Sequence, residues 1–322
     1  MNILVTGGAG YIGSHVCKEL SLAGHTPICL DDLSTGHEAA VKWGPLVQAD
    51  IADKGQLNKC IDRYRPEAIL HLAASAYVAE STKNPGKYYR NNVAGTLALI
   101  ECARDAGIDK LIFSSSCAVY GNPSQLPVHE HHKQNPISPY GASKQMIERM
   151  LADFDAAHGI RSIALRFFNA AGADPDAELR EQHDPETHLI PLVLDVAEGI
   201  RSKITINGNR YETPDGTCVR DYVHVSDLAA AHVLALKSLG AGASSAAFNL
   251  GNGKGFSVRE IINAAEAVTG RRICTELGPE RTGDPPSLSS NSTLARQKLG
   301  WVPRYPEIED MIEHAWRARC AF

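Results

Sequence analysis

The stretch that most restricts this chain lies at its start. Asn2 to Thr6 is a short apolar run suited to a buried strand, Gly7-Gly8-Ala9-Gly10-Tyr11-Ile12-Gly13 follows, and an amphipathic helix is expected through about Ala23. Glycine at 7, 10 and 13 lets the chain turn sharply, lets a phosphate approach bare backbone, and lets the helix settle on the strand. The helix start then offers free N–H groups and the positive end of its dipole to an anion. A second strand, Thr26 to Leu30, ends in Asp31-Asp32. A carboxylate about 20 residues past the glycines is placed to accept both ribose hydroxyls of an adenosine, and it repels a 2′-phosphate. The stretch therefore predicts a dinucleotide held through its pyrophosphate, NAD and not NADP.

The alternation continues. Strands are expected at Leu46 to Gln48, Ala68 to His71 and Lys110 to Ser114, with helices near Asp53 to Tyr64, Lys87 to Ala106 and Tyr140 to His158. A strand from Ser162 to Arg166 is expected to complete the sheet. This rhythm predicts an α/β fold, a doubly wound parallel sheet of the Rossmann kind, with ligands at the carboxyl ends of its strands. Asp50-Ile51, Leu72-Ala73-Ala74, Asn91-Asn92 and Ser114-Ser115-Ser116 fall at those ends. Asp50 is placed to meet the adenine amino group, and the small residues after His71 leave room for the cofactor. The pattern loosens at Ala171-Gly172-Ala173-Asp174-Pro175, so residues 1–170 are expected to form the NAD-binding domain and 171–322 a smaller C-terminal substrate-binding lobe, with about 220–240 packing back on the first.

Ser138-Pro139-Tyr140-Gly141-Ala142-Ser143-Lys144 supplies the reactive pair. If Pro139 and Gly141 open a helix, Tyr140 and Lys144 stand at i and i+4 on one face. Bringing a tyrosine from near pH 10 to neutrality takes roughly three units, or about 4 kcal/mol. One positive charge about 5 Å away, at an effective dielectric of about 20, supplies on the order of 3 kcal/mol. Lys144 is therefore expected to supply most of the shift that makes Tyr140 a base. On an ordinary helix the same residues are a packed ring and a solvated amine, so the pair takes its meaning from its surroundings.

At 322 residues the chain is long enough for one large or two closely joined domains. Its formal charge, 32 basic against 37 acidic residues, is −5, and the basic residues do not cluster, which argues against nucleic acid or an anionic membrane as partner. The start lacks a basic region and no apolar run approaches a membrane span, so a cytoplasmic location is expected. Eight cysteines stand singly with no CxxC, which suggests neither a disulfide framework nor a zinc knuckle. No metal site is expected: His129-Glu130-His131-His132 reads as a solvated loop, and Cys117 as a small packed thiol.

The order Gly7-x-x-Gly10-x-x-Gly13, His71-Leu72-Ala73-Ala74, Ser114-Ser115-Ser116, Val119-Tyr120-Gly121 and Tyr140-x-x-x-Lys144 resembles the extended short-chain dehydrogenase/reductase family, and within it the UDP-sugar 4-epimerases. Leu165-Arg166-Phe167-Phe168-Asn169-Ala170-Ala171-Gly172, Val219-Arg220-Asp221-Tyr222-Val223-His224-Val225 and Arg281-Thr282-Gly283-Asp284 extend the likeness over nearly the full length. The resemblance implies that Tyr140 is the base, that Lys144 binds the nicotinamide ribose, and that Ser116 hydrogen-bonds the sugar's 4-oxygen. It implies NAD contacts at Gly7, Gly10, Tyr11, Ile12, Gly13, Asp31, Asp32, Leu33, Ser34, Gly36, Asp50, Ile51, Leu72, Ala73, Ala74, Asn91, Ser114 and Phe168. The uridine diphosphate would lie along Asn169, His188, Leu189, Thr205, Asn207, Arg220 and Arg281, with Asp284 on a ribose. Arg220 and Arg281 suit a pyrophosphate clamp because guanidinium forks match phosphate oxygens; the rival reading pairs each with Asp221 or Asp284.

The activity so implied is interconversion of UDP-glucose and UDP-galactose; UDP-xylose/UDP-arabinose and the N-acetylated hexosamine pair are the alternatives. Ala76, Ala118, His188 and Leu288 depart from residues common among such epimerases, all on the sugar side. A 4,6-dehydratase on this scaffold would carry Asp-Glu where Cys117-Ala118 stand. A non-catalytic NAD-sensing protein would not need Ser116, Tyr140 and Lys144 together. The resemblance also implies a homodimer built on the Tyr140 helix and the helix before it.

Overall fold

The computed structural model describes residues 1–280 and 285–321. Strands β1 (Asn2–Thr6), β2 (Thr26–Asp31), β3 (Leu46–Gln48), β4 (Ala68–His71), β5 (Lys110–Ser116) and β6 (Arg161–Phe167) lie in one parallel sheet. Helices α1 (Tyr11–Leu22), α2 (Lys54–Tyr64), α3 (Val78–Lys83), α4 (Pro85–Tyr88), α5 (Gly95–Asp105) and α6 (Pro139–His158) lie between its strands in sequence. Burial on both faces follows from period-two alternation: Ile3 and Val5 join one apolar layer, with Val16 and Leu20 of α1, while Leu4 joins the other, with Leu57 of α2 and Leu99 of α5. Pairing runs from β1 to β2 on one side and to β4 on the other. The order therefore reverses beside β1, which opens a crevice at the carboxyl ends of β1 and β4.

Two expectations about this half need correction. The sheet does not end at β6; among the described residues it has seven strands, in the order β10 (Ala246–Leu250)-β6-β5-β4-β1-β2-β3. The small Ala-Ala start of β10 carries little strand signal, and its place is decided by pairing with β6. The helix expected over 87–106 is interrupted by a π turn at Tyr89–Ala94, between α4 and α5.

The second half adds β7 (Asn169–Ala171), α7 (Leu189–Glu198), β8 (Ile204–Asn207), β9 (Val219–His224), α8 (Val225–Gly240), β10 (Ala246–Leu250), β11 (Gly255–Ser257), α9 (Val258–Thr269), β12 (Thr275–Gly278), β13 (Ser287–Leu288), α10 (Thr293–Leu299) and α11 (Ile308–Ala321). Strands β7, β9, β11 and β13 form one small sheet, and β8 with β12 another. Their core joins Ile190 and Leu194 of α7, Ile261 of α9 and Met311 of α11 with Tyr222 and Phe256. Leu228 and Leu236 of α8, Leu299 of α10 and Trp301 instead pack with Val5 and Leu70 of the large sheet. Among the described residues no helix is long and apolar enough to cross a membrane.

Candidate active site

Helix α6 positions the reactive pair. The Ser138 Oγ accepts the Gly141 N–H at 3.1 Å, Pro139 occupies the first turn, and Gly159 closes the helix in the left-handed conformation. A Cβ on Gly141 would lie 2.5 Å from the Ala118 carbonyl oxygen, so only glycine brings the helix start this close to the turn after β5. Tyr140 and Lys144 both face inward and are buried, and the Ser116 hydroxyl at the end of β5 lies beside the Tyr140 phenol and favours its charged form.

The electrostatics differ from expectation. Burial pushes the Tyr140 phenol up to about 12 against the opposing pull of the Ser116 hydroxyl. Burial also brings the Lys144 amine down to about 7, with the nearby Glu148 carboxylate acting the other way. Lys144 does not ionise Tyr140 in the chain by itself, for two reasons. Desolvation opposes the charged form of both groups, and the Lys144 Nζ donates to the Ser114 carbonyl at 2.7 Å while lying 5.8 Å from the phenol ring centre.

A pH dependence of stability follows. Lys144 stays protonated in the unfolded chain up to its ordinary 10.5 but in the fold only up to about 7. Between those values the unfolded chain binds the extra proton, so this group makes stability rise with pH; the penalty is complete below 7 and relieved above. The expected outcome is that the stability difference between wild type and Lys144→Met, measured by urea unfolding, shifts towards wild type by about 1.4 kcal/mol per pH unit through that window.

The glycine turn fits a dinucleotide. Gly7, at φ +72°, donates its N–H to the Leu30 carbonyl at 2.8 Å, and a Cβ there would lie 2.6 Å from the Ala73 nitrogen. A Cβ on Gly13 would lie 2.0 Å from the Gly7 oxygen. Helix α1 starts after Gly10 with no side-chain cap and no acidic residue in its first turn, which suits an incoming phosphate at Tyr11, Ile12 and Gly13. The buried Asp31 carboxylate accepts the N–H groups of Ala9 at 3.0 Å and Leu33 at 2.9 Å. A Cβ on Gly36 would stand 2.8 Å from it, so a small residue is needed there. Asp32 turns away to bond the N–H and Oγ of Ser34, so the structure divides an acidic pair that looked equivalent.

Across the crevice, Leu72 donates its N–H to Thr6, and Ala73 and Ala74 follow it. Asp50 accepts the Ala52 N–H at the rim, and Ile51 is buried against Gly95. Asn91 reaches Ser75 Oγ at 3.2 Å. Its neighbour Asn92 binds both the N–H and the carbonyl of Ser75 and donates to Ser143 Oγ, tying the loop after β4 to α6 through the π turn.

Sequence reasoning missed the charged pair behind the reactive groups. Arg166 donates to Glu148 through Nη2 at 2.6 Å and Nε at 2.9 Å, and its Nη1 reaches Tyr120 at 2.8 Å. Glu148 also accepts from Ser115 Oγ. Its position one turn past Lys144 was the available signal.

A cavity of about 540 Å³ gathers Asn169, His188, Leu189, Thr205, Asn207 and Arg220 from separate elements. Arg281 and Asp284 lie outside the described residues. The Asp221 carboxylate, the rival partner for Arg220, takes N–H groups from Asn252, Gly253 and Ser290 and the Ser290 hydroxyl. Leu288 pairs in register with Arg220 and packs with Cys117 against a cluster of Val119, Tyr120, Val128 and Phe168. Burial raises the Cys117 thiol to about 12, which suits a packed residue. The 129–132 loop is not merely solvated: its three imidazoles stack, and Glu130 turns inward to accept the Asn249 N–H.

Residues 3–251 match the NAD dependent epimerase/dehydratase family. The UDP-glucose 4-epimerase of Rhizobium meliloti strain 1021 is 50% identical over 315 residues, which cover 98% of this chain and 96% of the relative. A solved UDP-glucose 4-epimerase from Brucella ovis, in complex with NAD, superposes with a TM-score of 0.96 at 50% identity, covering 98% of this chain and 97% of that one. A UDP-glucose-4-epimerase from Stenotrophomonas maltophila, with bound NAD and formylated UDP-arabinopyranose, does so with a TM-score of 0.96 at 40% identity, over 100% of this chain and 98% of that one. Because the family match begins in β1 and ends just past β10, it spans the whole large sheet around Tyr140, and the chain belongs to the NAD dependent epimerase/dehydratase family.

Proposed function

We infer that the chain interconverts UDP-glucose and UDP-galactose at C4 with NAD held throughout. The observation that carries this reading is the burial together of the Tyr140 phenol and the Ser116 hydroxyl at the carboxyl edge of β5, with Lys144 buried on the same helix face. NAD, held by the glycine turn and Asp31, would supply reversible hydride acceptance at C4. Tyr140 takes the proton of the 4-hydroxyl and gives it back, which general acid–base catalysis requires of one group near both faces. Ser116 donates to the oxygen as it becomes a ketone. Lys144 anchors the nicotinamide ribose, and Asp31 the adenosine ribose. Arg220, with Asn169, Thr205 and Asn207 of the cavity, holds the diphosphate, so binding strength sits on the nucleotide while the sugar turns. On this reading residues 1–170 supply the cofactor site and 171–322 the nucleotide-sugar site.

A 4,6-dehydratase would need a proton shuttle for C5 and C6, and Cys117-Ala118 offer none. We also infer a homodimer through α5 and α6, supported by the exposed apolar side chains of Leu97 and Met146 on that pair of helices; sedimentation at micromolar concentration reads it directly.

The test is incubation with single UDP-sugars and no added NAD, followed by proton NMR at C4. UDP-glucose is expected to reach equilibrium with UDP-galactose with no net redox change. Conversion of another UDP-sugar pair alone would move the assignment to that sugar, and no conversion of any would end it.

A further inference from the structure

We propose that Glu181, His183, Glu186 and His188 bind one zinc ion that pins the 172–188 segment between the cofactor turn and the substrate cavity. One ligand atom from each of the four lies within 4.8 Å of all the others. Tetrahedral zinc with bonds of about 2.0–2.1 Å sets its donors about 3.3 Å apart. Here Glu181 Oε1 lies 2.8 Å from His188 Nδ1 and 3.0 Å from His183 Nδ1, while Glu186 hydrogen-bonds His188 Nδ1 through Oε1 at 3.0 Å and sets Oε2 3.6 Å from His183 Nδ1. The donor set also suits the metal: imidazole nitrogen with carboxylate oxygen favours zinc over the all-oxygen shells of calcium and magnesium.

A second observation is independent of that spacing. The Glu181 side chain is only 8% exposed, and its Oε1 and the His183 Nδ1 are buried without a hydrogen-bond partner although 3.0 Å apart. Two such atoms ordinarily bond each other. Here each also lies within 4.8 Å of the donor atoms of the other two residues, as ligands of one cation do. Neighbouring groups fix the donors in place: Glu186 Oε1 accepts the N–H groups of Thr187 and His188, and the His183 ring stands edge-on to Tyr11 and Tyr77. The neighbouring group of Asp174, Asp176 and Glu178 is different, because the Lys18 ammonium already sits among its carboxylates.

The segment carrying these residues touches both binding regions. Tyr11 donates to the Gly172 carbonyl at 2.6 Å, Lys18 pairs with Asp174, and His37 reaches the Gln182 carbonyl at 3.0 Å. Glu181 and His188 then line the cavity. A cation bound by four residues of one loop would hold that loop against α1 and fix the cavity wall together. The competing occupant of the centre is a pair of protons, one on each imidazole, held by the two carboxylates.

The experiment uses the full chain, purified without a polyhistidine tag or chelator. Metal content by mass spectrometry is expected to be about one zinc per chain, and after EDTA treatment Zn²⁺ alone should titrate calorimetrically to one site. Glu181→Gln and His183→Ala are expected to abolish binding, and His131→Ala, in the stacked surface trio, to keep it. Tryptic cleavage after Arg180 should slow several-fold when zinc is restored. Absence of zinc from the purified wild type together with no calorimetric binding at micromolar concentration overturns the proposal, whether or not the variants fold, and so does unchanged affinity in His183→Ala. Since none of these readouts involves turnover, the result stands apart from the sugar assignment.

Discussion

Tyr140→Phe is expected to lower turnover of UDP-glucose by roughly 10³-fold, in the middle of the range for loss of a positioned general base. The ring is retained, so its edge-to-face contact with Tyr88, at 6.5 Å between centres, survives, and folding and cofactor content should not change. Only the hydroxyl beside Ser116 is lost. Because the proposed function places the nucleotide in a separate cavity lined by Arg220 and Thr205, KM is expected to stay within a few-fold while kcat falls. That split separates a base from a residue that merely shapes the pocket. In the chain alone burial pushes the phenol up to about 12, and on the proposed function the positive charge of bound oxidised NAD would act against that burial. A variant that kept a tenth of wild-type turnover would place the base elsewhere.

Glu148→Gln is expected to destabilise the protein by about 3–5 kcal/mol, as removal of one partner from a buried ion pair does. Arg166 is 7% exposed at its side chain and Glu148 11%, so little water can replace the lost carboxylate. Two guanidinium bonds and the Ser115 hydroxyl lose a charged acceptor at once. The carboxylate is also what holds the Lys144 amine up against burial, so the variant should carry a still lower Lys144 value. Urea unfolding checks the first effect. Glu148→Leu combined with Arg166→Met, which removes both charges, should recover most of the loss. If Glu148→Gln costs less than about 1 kcal/mol, the pair is effectively solvated and the account of Lys144 fails with it.

The seven glycine-turn residues were legible because a φ of +72° at Gly7 and a Cβ-free approach at Gly13 are demands of the local backbone, written at fixed spacing. Tyr140 and Lys144 were legible for a similar reason: four residues make about one helical turn, so their shared face follows from a helix being there at all. The strand β10 was not, since its place depends on pairing with β6, about 80 residues earlier in the chain. Nor was the asymmetry of Asp31 and Asp32, which rests on the Ala9 N–H reaching one carboxylate and not the other.

By itself, then, the order of residues determined the strand–turn–helix cradle, the parallel sheet and the pairing of a phenol with an amine, because each is a short-range consequence of φ, side-chain period and spacing. Only the tertiary structure decided how those groups titrate, where Glu148 and Arg166 meet, and that two glutamates and two histidines of one loop converge on a point. Desolvation and charge coupling depend on which distant segments exclude water from a site, and that is a property of the packed molecule, not of any window of its sequence.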